Sequence, residues 1–131
     1  MLPPRPHRIL VAEDESLAAM AIEEELQFAG FDVVLAPDGQ AALDEARRRM
    51  PDLLLTDLRM PRLDGLGLIR ALRARAPLLP VVVMTGYAPA SGSEAFSAPG
   101  EAPVSLFTKP ISLDAVLTEM KRLLSEAAER R

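Results

Sequence analysis

An open α/β fold, one parallel sheet covered by helices, is what this chain predicts, and three observations predict it. Five short runs rich in apolar residues recur along the 131 residues, at about 8–13, 31–36, 53–57, 81–85 and 104–108. Helical spacings of apolar residues separate most of them, and short apolar runs alternating with helical patterns read as buried parallel strands. Four runs also end in polar residues. Ile9-Leu10-Val11-Ala12 leads into Glu13-Asp14, and Leu53-Leu54-Leu55-Thr56 into Asp57. Val81-Val82-Val83-Met84 leads into Thr85, and Val104-Ser105-Leu106-Phe107-Thr108 into Lys109-Pro110.

The elements follow in order. After the first strand a helix is predicted over about 16–29, with Ser16 as N-cap and Ala18, Ile22, Leu26 and Ala29 on one face. Gly30 ends it in the C′ position. The run 31–36 alternates more than the others and is placed nearer a sheet edge. Pro37-Asp38-Gly39 turns into a helix over about 39–49, closed by Pro51. Leu66, Ile69 and Leu72 have helical spacing over about 65–75, and Pro77 and Pro80 stop that helix. The last helix begins after Ser112 and carries Leu113, Val116, Leu117, Met120, Leu123, Leu124 and Ala127 on one face. Residues 86–103, with three prolines and three glycines, break the alternation. A parallel crossover ordinarily contains a helix; here only Ser93–Ala98 has room for one, so a short, irregular fourth helix is expected.

Composition narrows the function. The chain is one ordinary domain, large enough for a core without covalent staples. A net charge of −4 argues against nonspecific nucleic-acid binding. With no cysteine there is neither disulfide nor zinc–thiolate site, which is compatible with the cytoplasm. The stretch Leu78–Met84 falls far short of the ~20 apolar residues of a membrane span. Residues 1–7 have no apolar signal core and read as a disordered lead-in, with His7, the only histidine, solvated. The domain is expected over 8–126, with 127–131 as helix end or tail.

In an open parallel sheet the carboxyl ends of the strands line one crevice, where ligands bind. That rule gathers Glu13, Asp14, Asp57, Thr85 and Lys109 although they lie far apart in the chain. Three carboxylates at adjacent strand ends either raise a pKa or hold a cation. A small set of oxygen ligands suits Mg²⁺, which commonly also takes a phosphate oxygen. Lys109 is a point charge for that phosphoryl group, Thr85 a hydroxyl donor, and Asp57 a nucleophile able to form an aspartyl phosphate. Each motif alone has a plainer reading: Glu13-Asp14-Glu15 as a solvated loop, Asp57 as a turn residue, Lys109-Pro110 as an extended lead into a helix.

Four segments carry a family resemblance. Val11-Ala12-Glu13-Asp14-Glu15, Leu55-Thr56-Asp57-Leu58-Arg59-Met60-Pro61-Arg62-Leu63-Asp64-Gly65, Met84-Thr85-Gly86-Tyr87-Ala88 and Phe107-Thr108-Lys109-Pro110-Ile111 resemble the receiver domains of response regulators, the phospho-acceptor half of bacterial two-component signalling. The resemblance runs from about residue 8 to 126. It implies a doubly wound, flavodoxin-like sheet in the order 2-1-3-4-5, and transfer of phosphate to Asp57 from a phosphohistidine on a sensor histidine kinase or histidine phosphotransferase. It also implies Mg²⁺ held directly by Asp14 and Asp57, by Glu13 through water, and by the backbone carbonyl of Arg59. Thr85 and Lys109 would hold the phosphoryl oxygens. Such a domain acts on itself and on an unidentified downstream protein, not as an enzyme on other substrates, and needs neither nucleic acid nor membrane.

The chain departs from the family in three places. Leu106 stands where receivers usually carry a switch aromatic, and Phe107 next to it points to the opposite face of a strand. The 86–103 crossover alters the face most receivers use for output. No effector domain follows, which suits a stand-alone receiver or an excised domain, and the Met1 start favours the former. A different class of reading is an interaction module that docks without phosphate. An aspartyl-phosphate hydrolase would want a carboxylate where Arg59 stands, and a nucleotide-binding fold would want a glycine-rich loop after the first strand.

Overall fold

Five strands pair in one parallel sheet in the computed structural model, which describes residues 5–86 and 96–130. They are β1 (Arg8–Ala12), β2 (Asp32–Ala36), β3 (Leu53–Asp57), β4 (Val81–Thr85) and β5 (Val104–Thr108), in the spatial order β2-β1-β3-β4-β5. Among the described residues there are four helices, α1 (Ser16–Phe28), α2 (Gly39–Arg48), α3 (Gly65–Arg73) and α4 (Leu113–Glu129). This is the doubly wound, flavodoxin-like class read from the sequence. Half of the expected short fourth helix, 93–95, lies outside the described residues; Phe96 is in 3₁₀ conformation, Ser97 and Ala98 are irregular, and a turn at Pro99–Gly100 follows, with Gly100 at φ 86°.

Period-two alternation along the strands builds two cores. Leu10, Ala12, Leu54, Val81 and Val83 face α2 and α3, against Ala42, Ala46, Leu68, Ile69 and Leu72. Their neighbours Ile9, Val11, Leu53, Leu55, Val82 and Met84 face α1 and α4, against Ile22, Leu26, Val116, Met120 and Leu123. Strands covered on both faces are continuously apolar, and β3 and β4 are buried at every position. β2 is at an edge, as the alternation suggested, and both edge strands, β2 and β5, are more exposed than the three between them.

The helix ends show where local chemistry acts. α1 closes in a Schellman motif: Gly30, at φ 96°, donates to the Gln27 carbonyl at 3.0 Å, and Phe31 donates to Leu26 at 3.1 Å. Its start corrects the sequence reading. Glu15 is the extended N-cap residue, with no side-chain cap, and Ser16 is the first helical residue. The chain stays extended there because the Glu15 N–H is turned to the Glu13 carboxylate at 3.2 Å. The buried face accordingly runs through Ala19, Ile22 and Leu26, with Ala18 only half-buried. Asp38, Asp64 and Ser112 cap α2, α3 and α4 through the N–H groups of Ala41 (2.8 Å), Gly67 (2.8 Å) and Ala115 (3.3 Å).

α3 begins hard against β3. Gly65 donates to the Leu58 carbonyl at 2.9 Å, and a β-carbon at position 65 would lie 2.2 Å from the carbonyl oxygen of Asp57. Only glycine permits that approach. At the other end of α3, Arg73 is buried, with 1% of its surface exposed. Its guanidinium donates to the carbonyls of Leu79 (2.9 Å) and Ala102 and to Ser97 Oγ (3.2 Å), with Glu101 at 3.8 Å. Burial pushes its pKa down and Glu101 counters this in part; an arginine remains charged nonetheless. Arg73 therefore ties the segment entering β5 to α3.

Arg73→Met should keep the volume but strand the Leu79 carbonyl and leave the Ala102 carbonyl with Ser97 Oγ, at 3.0 Å, alone. Leaving buried acceptors unpaired costs about 1–3 kcal/mol. Denaturant unfolding should show that loss, and hydrogen exchange should rise at 97–103 and the start of β5. Unchanged exchange there would mean that Arg73 does not hold the segment.

Candidate functional site

The carboxyl ends of β1, β3, β4 and β5 place their polar residues around one crevice. Glu13 and Asp14 follow β1, Asp57 is the last residue of β3, Thr85 the last of β4, and Lys109 follows β5. Parallel pairing aligns these ends. Ala12 is in register with Thr56, Asp57 with Met84, and Thr85 with Thr108. One carboxylate oxygen from each of Glu13, Asp14 and Asp57 lies within 4.8 Å of the others, the one such acidic group among the described residues. Glu13 and Asp57 are buried and Asp14 is exposed.

Lys109 reaches into this cluster. Its ammonium lies 2.7 Å from Asp57 Oδ2 and 3.1 Å from Glu13 Oε1. The backbone holds it there, because Lys109 N–H donates to the Thr85 carbonyl at 2.7 Å. Thr85 is buried beside it. On the opposite side Arg59 N–H donates to Asp57 Oδ1 at 3.3 Å. An open cleft of about 440 Å³ adjoins the cluster, lined by Asp14, Leu58, Arg59, Met60, Pro61 and Asp64. A cavity of about 390 Å³ at the other end of the sheet, between Met50–Asp52 and Ala76–Pro80, is away from these groups.

The electrostatics follow from burial and pairing. Burial pushes the Glu13 carboxyl up; hydrogen bonds from Glu15 N–H and Lys109 oppose this, and the Asp57 charge adds to it, leaving the pKa raised. For Lys109 burial acts against the charge, but hydrogen bonds to Asp57 and Glu13 and their negative charges outweigh it, so its pKa is also raised. One ammonium thus faces three carboxylates, and the crevice retains an excess of negative charge.

The family model for the response regulator receiver domain matches residues 9–121. The chain belongs to that family. It is a receiver domain of two-component systems, a signalling domain. Over 119 residues it is 38% identical to response regulator MprA of Mycobacterium sp. (strain KMS), covering 91% of this chain and 51% of that protein. The chain therefore spans about half the length of the curated relatives it matches. Among solved structures it is similar to a CheY-like receiver domain protein from Methanospirillum hungatei JF-1, at 25% identity and a TM-score of 0.87, covering 96% of this chain and 99% of that one. It is also similar to the receiver domain of sensor histidine kinase PA1611 from Pseudomonas aeruginosa PAO1, at 26% identity and a TM-score of 0.79, with 92% and 98% covered. That structure has a magnesium ion coordinated in its active-site cleft. No helix of the described chain is long and apolar enough to cross a membrane.

Sequence reasoning named Glu13, Asp14, Asp57, Thr85, Lys109 and Arg59, and the fold brings all six to one crevice. It missed that Lys109 bridges two of the carboxylates directly, so that their repulsion is already part-compensated. It also missed Asp38 and Arg62, which pair beside the cleft. An Asp before a helix start was the available signal for Asp38; nothing in the sequence pointed Arg62 at it.

Glu13→Gln should raise the metal-free Tm at pH 7. A pKa raised in the folded state means that protonation favours folding: this stabilisation is complete below the ordinary value of 4.5 and lost as pH rises through the folded value. The amide avoids that loss, so its advantage should be present at neutral pH and vanish toward pH 4. Melting curves across this range check it. An advantage independent of pH would assign the gain to packing instead.

Proposed function

We propose that this receiver is a phospho-acceptor switch in which Asp57 takes a phosphoryl group from a phosphohistidine on a sensor histidine kinase or histidine phosphotransferase. The observation that carries the reading is the three-carboxylate cluster with Lys109 seated 2.7 Å from Asp57. A carboxylate oxygen of Asp57 attacks phosphorus, the phosphorus–nitrogen bond breaks, and the imidazole leaves with the bonding pair and takes up a proton. Slow hydrolysis of the acyl phosphate by water resets the domain. Catalysis of such transfer rests on positioning and charge neutralisation, and each residue here has a part in that. Lys109 balances charge on the phosphoryl oxygens and Thr85 donates its hydroxyl to one of them.

The donor set fits Mg²⁺. It consists of oxygens only, two buried and one exposed, opening on a cleft with room for water. Asp14 and Asp57 would hold the ion directly, Glu13 through water, and the Arg59 carbonyl would complete the protein's share. Bound there, the ion supplies positive charge that offsets the carboxylates and draws in phosphoryl oxygens. Residues 8–126 form the receiver unit, acting in the cytoplasm on a protein partner downstream, with no role for nucleic acid or membrane. Leu106 favours output by a route other than an aromatic switch: it packs toward the α2–α3 core, while Phe107 packs toward the α1–α4 core.

Incubation with a small acyl phosphate and Mg²⁺ should add the mass of one phosphate. Asp57→Asn should abolish the gain, and Lys109→Ala should slow it by roughly 10²–10³, as loss of one charge-stabilising donor does. Mg²⁺ at a hundred times its Kd should stabilise the fold by about 2.7 kcal/mol. Phosphate on Asp57→Asn at the wild-type rate would displace the nucleophile. No mass gain on wild type would leave docking without phosphate as the function.

A further inference from the structure

Asp38 and Arg62 have no place in the transfer chemistry, yet they join two loops at the edge of the crevice. Asp38 lies between β2 and α2 and is 3% exposed; Arg62 lies between β3 and α3. Arg62 Nε donates to Asp38 Oδ2 at 3.1 Å, and Arg62 Nη2 donates to the same oxygen. The other oxygen of Asp38 accepts from Ala41 N–H at 2.8 Å. That N–H first, and then Arg62, hold the Asp38 carboxyl below its usual range, so it is ionised at neutral pH.

Arg62 has φ 70°, the one positive φ at a non-glycine residue among those described. It is the middle of a tight turn in which Leu63 N–H donates to the Pro61 carbonyl at 2.8 Å. Residues with a β-carbon seldom adopt this conformation, and its cost is borne only where surroundings enforce it. A backbone contact reinforces the pairing: a β-carbon at position 39 would lie 1.9 Å from the Leu63 carbonyl oxygen. The segment held in this way is short. It leaves Asp57, presents Arg59 N–H to the Asp57 carboxylate, and returns at Gly65 beneath the Asp57 carbonyl.

We infer that the Asp38–Arg62 pair is a clasp that positions the 58–64 loop, and through Arg59 sets the affinity of the Asp57 site for its cation. The inference rests on the phospho-acceptor reading above. Both residues are positioning residues, since neither touches the reacting atoms. An exposed ion pair ordinarily contributes little; this one has a buried carboxylate and a strained turn to hold in place. The strain separates side chain from backbone experimentally. Arg62→Gly removes the clasp and relieves the turn; Arg62→Asn tolerates positive φ and cannot reach Asp38.

The test is Mg²⁺ titration by calorimetry, with metal-free Tm and the rate of phosphorylation by an acyl phosphate measured on the same proteins. Arg62→Gly and Arg62→Asn should weaken Mg²⁺ by roughly tenfold, the low end for loss of an outer partner of a metal ligand. Their metal-free Tm should stay near that of wild type, because relaxing the turn offsets the lost ion pair. Asp38→Asn keeps an oxygen for Ala41 and should weaken Mg²⁺ likewise, while Arg62→Lys should recover most of the affinity. At saturating Mg²⁺ the phosphorylation rates should converge. Variants that bind Mg²⁺ like wild type, in a wild type that does bind and phosphorylate, overturn the clasp alone. Failure of wild type to bind Mg²⁺ or take phosphate overturns the underlying reading and the clasp with it.

Discussion

Two buried carboxylates at neighbouring strand ends are tolerable here because one ammonium lies between them. Charges taken out of water must be paired, and Lys109 pairs with Glu13 and Asp57 at once. Much of the architecture serves that contact. The β5 edge must be in register with β4 for Lys109 to donate to Thr85, the exit from the crossover must be anchored for β5 to start at Val104, and Pro110 must turn the chain into α4. Arg73, far from the crevice, contributes by holding the segment that leads into β5.

The compensation is incomplete, and that leaves the crevice with unbalanced negative charge. A fully neutralised cluster would have little affinity for a cation; an uncompensated one would oppose folding. Lys109 leaves the excess on the side of Asp14, the exposed member next to the open cleft. The cluster is thus assembled and still demanding charge.

Strand positions, the helix pattern and the gathering of the candidate site residues at one crevice were legible because each rests on a local rule. β3, β4 and β5 have the bounds their apolar runs suggest, and a parallel sheet brings its strand ends together whatever the loops do. Features settled by geometry at a distance were not legible. Ser16 has the right chemistry for a cap, but the pull of Glu13 on Glu15 moves the start by one residue. Arg73 is at the polar end of an amphipathic helix, where an arginine ordinarily meets water; only the returning 97–103 segment makes it an interior residue. The Asp38–Arg62 pair spans two loops whose separation in sequence conceals their adjacency. The 2-1-3-4-5 order came from the family resemblance, since apolar runs alone do not order a sheet.

The two cores and the crevice are read from one register. Successive residues of β3 alternate between the α1–α4 face and the α2–α3 face, and the same count brings Asp57 to the strand end. A one-residue slip sends every side chain to the other face. Deleting a single leucine from Leu53-Leu54-Leu55 would therefore cost little apolar content but exchange the layers and retract Asp57 from Lys109 and Arg59. Changes of length are therefore tolerable in the loops and not in the strands, and a scan of single deletions would show the strands as silent gaps between tolerant stretches.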